Sequence, residues 1–188
     1  MIEGEWTTEL RLLRKCGVTL APGLTKDEIR YAEQMHRFRF PPDLRTFLSS
    51  ALPVGQGFPD WRTPGSPALL DQMSWPFRGV AFDIEHNVFW YKPWGPRPAT
   101  LSEAIVLART GVESAPRLIP IYSHRYIPAE PELAGNPVFS VYQTDIIYYG
   151  LDLRRYFSCE FDGLDHAQAI RGDLRPIRFW TDVIEYYT

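Results

Sequence analysis

The sequence predicts an α+β fold in one domain, with mainly antiparallel strands in the middle of the chain and helices N-terminal and C-terminal to them. Three observations carry this. Capped amphipathic segments fill the N-terminal part, short apolar segments joined by tight turns run from Leu118 to Tyr149, and helical spacing returns at Asp152. Helices, strands and helices in separate runs give segregated layers, not a doubly wound parallel sheet. The 188 residues suit one domain over 1–188, and 45% hydrophobic residues supply a core.

The first helix is expected from Thr7 or Thr8 to Cys16, with Trp6, Leu10 and Leu13 on one face and Gly17 as a stop. Pro22-Gly23 makes the link to a second helix. There Thr25 and Glu28 form a capping box, and Leu24 and Ile29 are placed as a hydrophobic staple. Ile29, Ala32 and either Met35 or His36 make its buried face. Pro41-Pro42 open a third helix with Leu44, Phe47, Leu48 and Ala51 at helical spacing.

The stretch 53–67 is rich in proline and glycine and reads as loop, although Phe58 and Trp61 are too apolar for a free tether. Ser66-Pro67 starts a short helix with Leu69, Leu70 and Met73. The segment FRGVAFDIEHNVFWYKPWG then reads as strand, turn and strand. Val80, Phe82 and Ile84 fall on one face, Ala81, Asp83 and Glu85 on the other, and His86-Asn87 makes the turn. Thr100 with Glu103 caps another helix, whose stripe is Leu101, Ala104, Ile105 and Ala108 and whose stop is Gly111.

Four strands follow, at Leu118 to Tyr122, His124 to Ile127, Val138 to Tyr142 and Ile146 to Tyr149. Their short connections imply antiparallel hairpins. Asp152 caps the next helix, with Leu153, Tyr156 and Phe157 facing in. A last helix covers Phe179 to Tyr187, with Trp180, Val183, Ile184 and Tyr187 on one side.

Charge excludes one class of partner. Twenty basic and 23 acidic residues leave a net charge of −3, without the basic face that nucleic acid needs. From Asn136 onward there are five arginines and eight acidic residues, so the acidity is C-terminal. No long apolar run suggests membrane insertion. The two distant cysteines and the lack of a secretory leader pattern point to a reduced cytoplasmic setting.

Candidate chemistry is sparse. Asp83, Glu85 and His86 resemble a metal cluster, but strand alternation separates the carboxylates from a histidine in the turn. On the strand His124-Arg125-Tyr126, His124 and Tyr126 share a face. His124 with Asp145 is the pair that would serve as a general base, yet no serine or cysteine nucleophile sits in a recognised setting. Cys159 is followed by Glu160 and Asp162, acidic neighbours that raise a thiol pKa. Gly55 and Gly57 lack the third glycine and the lysine of a phosphate loop. Most aromatics belong in the core. Trp61, Trp94 and Tyr126, in loops rich in proline and glycine, are the expected surface anchors.

Four segments together resemble the SUKH superfamily, which contains the yeast cell-wall assembly regulator and many bacterial immunity proteins. They are GLTKDEIRYAEQMHRFRFPPDLRTFL, FPDWR, GVAFDIEHNVFWYKPWGPRP and LIPIYSHRYIPAEPELAGNPVFSVYQTDIIYYGLDLRRYF. The similarity covers residues 24–161 and is closest to a bacterial branch. Pro53-Val54-Gly55 stands where the family commonly has Gly-Gly. The resemblance implies a central, mainly antiparallel sheet flanked by helices and a non-enzymatic role with no catalytic residues, metal or cofactor. The expected partner is a protein, in particular a toxin domain that an immunity-type protein neutralises by binding. C-terminal acidity would suit a basic nuclease domain. The alternatives are a regulatory scaffold in cell-envelope or stress signalling and, third, a small hydrolase-like enzyme built on His124 and Asp145. Trp61, Trp94, His124, Tyr126 and Asp145 are the expected binding residues. The oligomeric state stays open.

Overall fold

The computed structural model describes residues 5–186. In chain order they form α1 (Thr7–Lys15), β1 (Thr19–Pro22), α2 (Lys26–His36), α3 (Pro42–Ser50), β2 (Ala51–Val54), α4 (Pro67–His86), α5 (Leu101–Ser114), β3 (Leu118–Tyr122), β4 (Arg125–Pro128), β5 (Val138–Tyr142), β6 (Asp145–Gly150), α6 (Leu153–Phe161), α7 (His166–Ala169) and α8 (Trp180–Tyr186). A turn of 3-10 helix at Lys92–Trp94 lies between α4 and α5. β3 to β6 make an antiparallel meander in sequence order, and β1 pairs with β2 in a separate two-stranded sheet. The architecture is the α+β arrangement that the sequence predicts.

Helices cover both faces of the meander. Strand alternation sends Ile119, Ile127 and Val138 into a core shared with α1, α2, α3 and α6, through Leu13, Ile29, Phe47 and Phe157. The other face sends Leu118, Tyr126, Phe139, Val141 and Ile146 against α4, α5 and α8, where Val80, Ile84, Ala104, Ala108 and Val183 meet them. A sheet buried on both sides explains why these strands read as nearly continuous apolar runs.

The N-terminal helices start as their sequence dictates. Thr25 Oγ1 accepts the Glu28 amide at 3.2 Å, and the Thr25 amide donates to Glu28 Oε2 at 2.7 Å. Leu24 and Ile29 are buried in the same core. His36, not Met35, completes the buried face. The link at Pro22 belongs to β1, and Ala51 to β2: Pro22 pairs with Ala51, and Leu20 with Pro53. Gly23 is needed there, because a Cβ would stand 1.9 Å from the Ser49 carbonyl oxygen.

The segment expected to be strand, turn and strand is a correction. Its first ten residues are the second half of α4, which runs 20 residues from the Ser66 cap through an internal Pro76 to His86; residues 87–91 form no strand, and Lys92–Trp94 is the 3-10 turn. Val80 and Ile84 satisfy both a strand period of two and a helical spacing of four, so the pair decides nothing. Phe82 decides it, because it is exposed while Val80, Asp83 and Ile84 are buried. Gly79, which looks like a breaker, permits close packing on the β5–β6 turn.

Three smaller corrections follow. α5 continues past Gly111 to Ser114; the glycine is required because a Cβ would lie 2.1 Å from Trp94 Nε1. Leu101 is exposed, and Ala104 and Ala108 carry that stripe. α7 is an additional short helix. The C-terminal helix is present as α8, with Trp180 and Val183 buried; Tyr187 lies outside the described residues. Among those residues no helix is long and apolar enough to cross a membrane.

His36 makes one pH prediction. Its ring hydrogen-bonds the Pro64 carbonyl at 2.9 Å and packs edge-on to Trp61. Burial, reinforced by Arg117, lowers its pKa below the ordinary 6.5, against the raising effect of the Pro64 bond. A depressed folded-state pKa contributes stability that is present above 6.5 and lost as pH falls through the folded value. Urea unfolding is therefore expected to show lower stability at pH 5.5 than at pH 7.5, by no more than about 1.4 kcal/mol from this group. His36→Gln should flatten that slope; an unchanged slope would contradict the assignment.

Candidate functional site

The five expected binding residues do not converge. Trp61 is 1% exposed, enclosed edge-on by His36, Phe38 and Phe40. The loop carrying it is closed over the core, which removes it from the surface. Tyr126 is likewise 1% exposed, because its strand is covered by α4. Its hydroxyl donates to the Gln72 carbonyl at 2.9 Å, and burial raises its pKa far above the ordinary value. Trp94 is half-buried, stacked on Phe179 at 5.5 Å and edge-on to Trp90 and Tyr91. All three are packing residues.

His124 and Asp145 are separated by a strand. Val141 of β5 donates its amide to the His124 carbonyl, and Asp145 pairs with Tyr142 on the far side of β5. Two strand spacings put the backbones roughly 10 Å apart. His124 Nδ1 instead lies 3.2 Å from Ser123 Oγ, and burial, then Arg125, lowers its pKa. Arg125 and Tyr126 face opposite sides as expected, but His124 lies in the β3–β4 turn and not on the strand. Arg125 Nε donates to Glu160 of α6 at 3.1 Å and Nη1 to Ser140 at 3.0 Å, with the guanidinium 3.8 Å from the Tyr149 ring centroid. This network ties α6 to the sheet. Beside it, burial raises the Cys159 thiol pKa, with Glu160 adding to the effect.

Asp83 is not a metal ligand on a strand edge. It is a buried helix carboxylate that accepts the Thr144 amide at 2.7 Å, the Thr144 hydroxyl and the Asn87 side-chain amide. Thr144 and Gln143 form the β5–β6 turn, and Gln143 holds a φ of 58°. Asp83 thus pins that turn against α4. His86 and Glu85 stay on the surface, 3.7 Å apart. Among the described residues no three His, Cys, Asp or Glu side chains are grouped to hold a metal.

What the pinned turn creates is an aromatic face. Asp71, Trp75, Arg78, Phe82 and His86 recur every three or four residues along α4 and so share its outer side. Trp75 is 36%, Phe82 44% and Tyr142 58% exposed. The Trp75 indole donates to the Val141 carbonyl at 3.1 Å, which fixes the ring beside Tyr142, 6.4 Å between centroids. Arg78 lies over Trp75 at 5.4 Å and pairs with Asp71 at 2.8 Å. Phe82 lies 4.4 Å from the His86 ring. Between α4 and the hairpin runs a groove of about 210 Å³ lined by Trp75, Arg78, Gly79, Phe82, Tyr142 and Gln143. Asp71, paired with Arg78, and Glu85 are exposed on α4, and Asp145 is exposed on the hairpin. Asp145 is the one expected binding residue on this face, directly across the hairpin from Tyr142.

Sequence reasoning missed Trp75 and Phe82 because it ended the helix before Pro76. A helical wheel carried through residues 67–86 would have put both on one exposed stripe. No protein-family model, no curated protein and no solved structure matches the chain.

Proposed function

We propose that the chain is a non-enzymatic protein-binding module of the immunity type, which neutralises a basic toxin domain by docking it on the outer side of α4 and the β5–β6 hairpin. The observation that carries this is the exposure of Trp75, Phe82 and Tyr142 on one face. Aromatic side chains with few rotatable bonds are the usual anchors of protein interfaces, where they exclude water around a few strong contacts. Asp71 and Glu85 on α4 and Asp145 on the hairpin favour a partner bearing lysine or arginine, and such cations also stack on tryptophan and tyrosine faces. The resemblance to the SUKH superfamily supports the same role. The similar segments include the end of α4 from Gly79 and the β5–β6 hairpin.

The test is the affinity of the purified chain for a toxin-like domain encoded beside it, measured by calorimetry. Trp75→Ala should weaken binding roughly ten-fold or more, as expected for an interface anchor. Val106→Ala, exposed on α5, should leave it unchanged. Equal affinities for Trp75→Ala and the parent chain would reject this face, and the lack of any stable complex would count against the immunity role.

A further inference from the structure

We infer that a second site, in a cleft separate from the Trp75, Phe82 and Tyr142 face, binds a small phosphate-bearing molecule between Arg37 and Arg117. It does not depend on the docking role proposed above. A cleft of about 500 Å³ lies between the C-terminal turn of α2 and the start of β3. That volume suits a ligand of nucleotide size.

The chain that forms one wall is Arg37-Phe38-Arg39-Phe40. Phe38 and Phe40 turn inward and pack edge-on at 4.9 Å, and Arg37 and Arg39, which alternate with them, are exposed. The facing wall is Arg117, next to Ala129, whose amide donates to the Arg117 carbonyl at 2.8 Å. Charge in the cleft is unevenly shared. The buried carboxylate of Glu33 accepts from Arg45 at 2.7 Å, from Arg39 at 3.2 Å and from the Phe40 amide at 3.0 Å. Glu33 thus serves Arg39 and Arg45, and Glu132 also pairs with Arg45 at 3.5 Å. Among the described residues, no carboxylate lies within 4 Å of the guanidinium groups of Arg37 and Arg117.

Arg37 also holds a backbone φ of 56° at the end of α2, a left-handed position that glycine adopts more readily. Strain of this kind collects at functional positions. Two guanidinium forks facing across a cleft fit phosphate oxygens, each fork giving parallel N–H donors. Glu130 and Glu132 on the remaining wall offer only acceptors and would repel a further anion, which suits hydroxyl groups on the rest of the ligand. A phosphate monoester carrying hydroxyls meets both requirements.

The experiment is calorimetric titration of the whole chain with inorganic pyrophosphate and with adenosine 5′-monophosphate at low salt. Saturable binding of either with a Kd below about 1 mM is expected, and the tighter of the two shows whether the organic body adds contacts. Arg37→Gly and Arg117→Ala should each weaken binding roughly ten-fold or more. Arg14→Ala, which removes the same charge on α1, should change it less than about two-fold. Arg37→Gly should also keep or raise the melting temperature, since glycine relieves the left-handed strain. That separates lost binding from lost folding. No saturable binding, an equal loss in Arg14→Ala, or a loss confined to one of the two arginines would overturn the site.

Discussion

Asp83→Ala is expected to lower the unfolding free energy by about 3 kcal/mol in urea titration, the largest single effect among the substitutions considered. The carboxylate is buried within α4 and accepts the Thr144 amide and hydroxyl together with the Asn87 amide. Removing it takes away the acceptor for a buried backbone donor, and leaving such a donor unmet costs about 1–3 kcal/mol before the other two contacts are counted. Asp83→Asn keeps one acceptor oxygen and should lose less. The change should also loosen the β5–β6 turn, so Tyr142 and Trp75 would lose their fixed spacing. A loss under about 1 kcal/mol would mean that the turn holds its shape without α4.

Gly79→Ala should destabilise by about 2 kcal/mol, opposite in sign to the usual result. Inside a helix, alanine is ordinarily better than glycine by up to about 1 kcal/mol, because glycine loses more backbone entropy. Here a Cβ would sit 2.6 Å from Gln143 Cα and 3.1 Å from Gln143 N. Those are backbone atoms of a turn already pinned by Asp83, so they cannot rotate aside. Overpacking of this kind costs about 1–3 kcal/mol; a contact this short against backbone belongs near the upper end, and the roughly 1 kcal/mol that alanine gains in a helix leaves about 2 kcal/mol net. Thermal unfolding of the variant checks it. A raised melting temperature would show that helix and hairpin can separate without penalty.

Both variants concern the same join, where the sequence was least legible. The N-terminal helices were readable because their signals are local. Thr25 and Glu28 sit three residues apart and make the capping box themselves. The meander was readable for the same reason, since Ser123-His124 and Gln143-Thr144 close two-residue turns between adjacent apolar segments. The β1–β2 pair was hidden because its strands are brought together by two intervening helices, and Pro22 and Pro53 look like breakers when no partner is known. α4 was hidden by Pro76 and Gly79, each of which normally ends a helix. Its continuation depends on Val80, Asp83 and Ile84 packing on strands far along the chain, a contact that no local window contains.

The same cause explains the functional residues. Trp61 and Tyr126 lie near prolines and glycines and looked exposed, yet the sheet is covered on both faces and buries them. Trp75 fell between the expected short helix and the expected strand, and Phe82 was placed on a strand with Val80 and Ile84, yet both lie on the exposed outer side of α4. Asp145 was found for a different reason, as a partner for His124, and belongs instead beside Tyr142.

Hydrogen–deuterium exchange of the chain with and without the proposed toxin-like partner tests most directly where binding occurs. Slowed exchange is expected in residues 71–86 and 141–146, with 7–15 and 153–161 unaffected. Protection confined to α1 and α6, with α4 and the hairpin exchanging as in the free chain, would contradict docking on the Trp75, Phe82 and Tyr142 face.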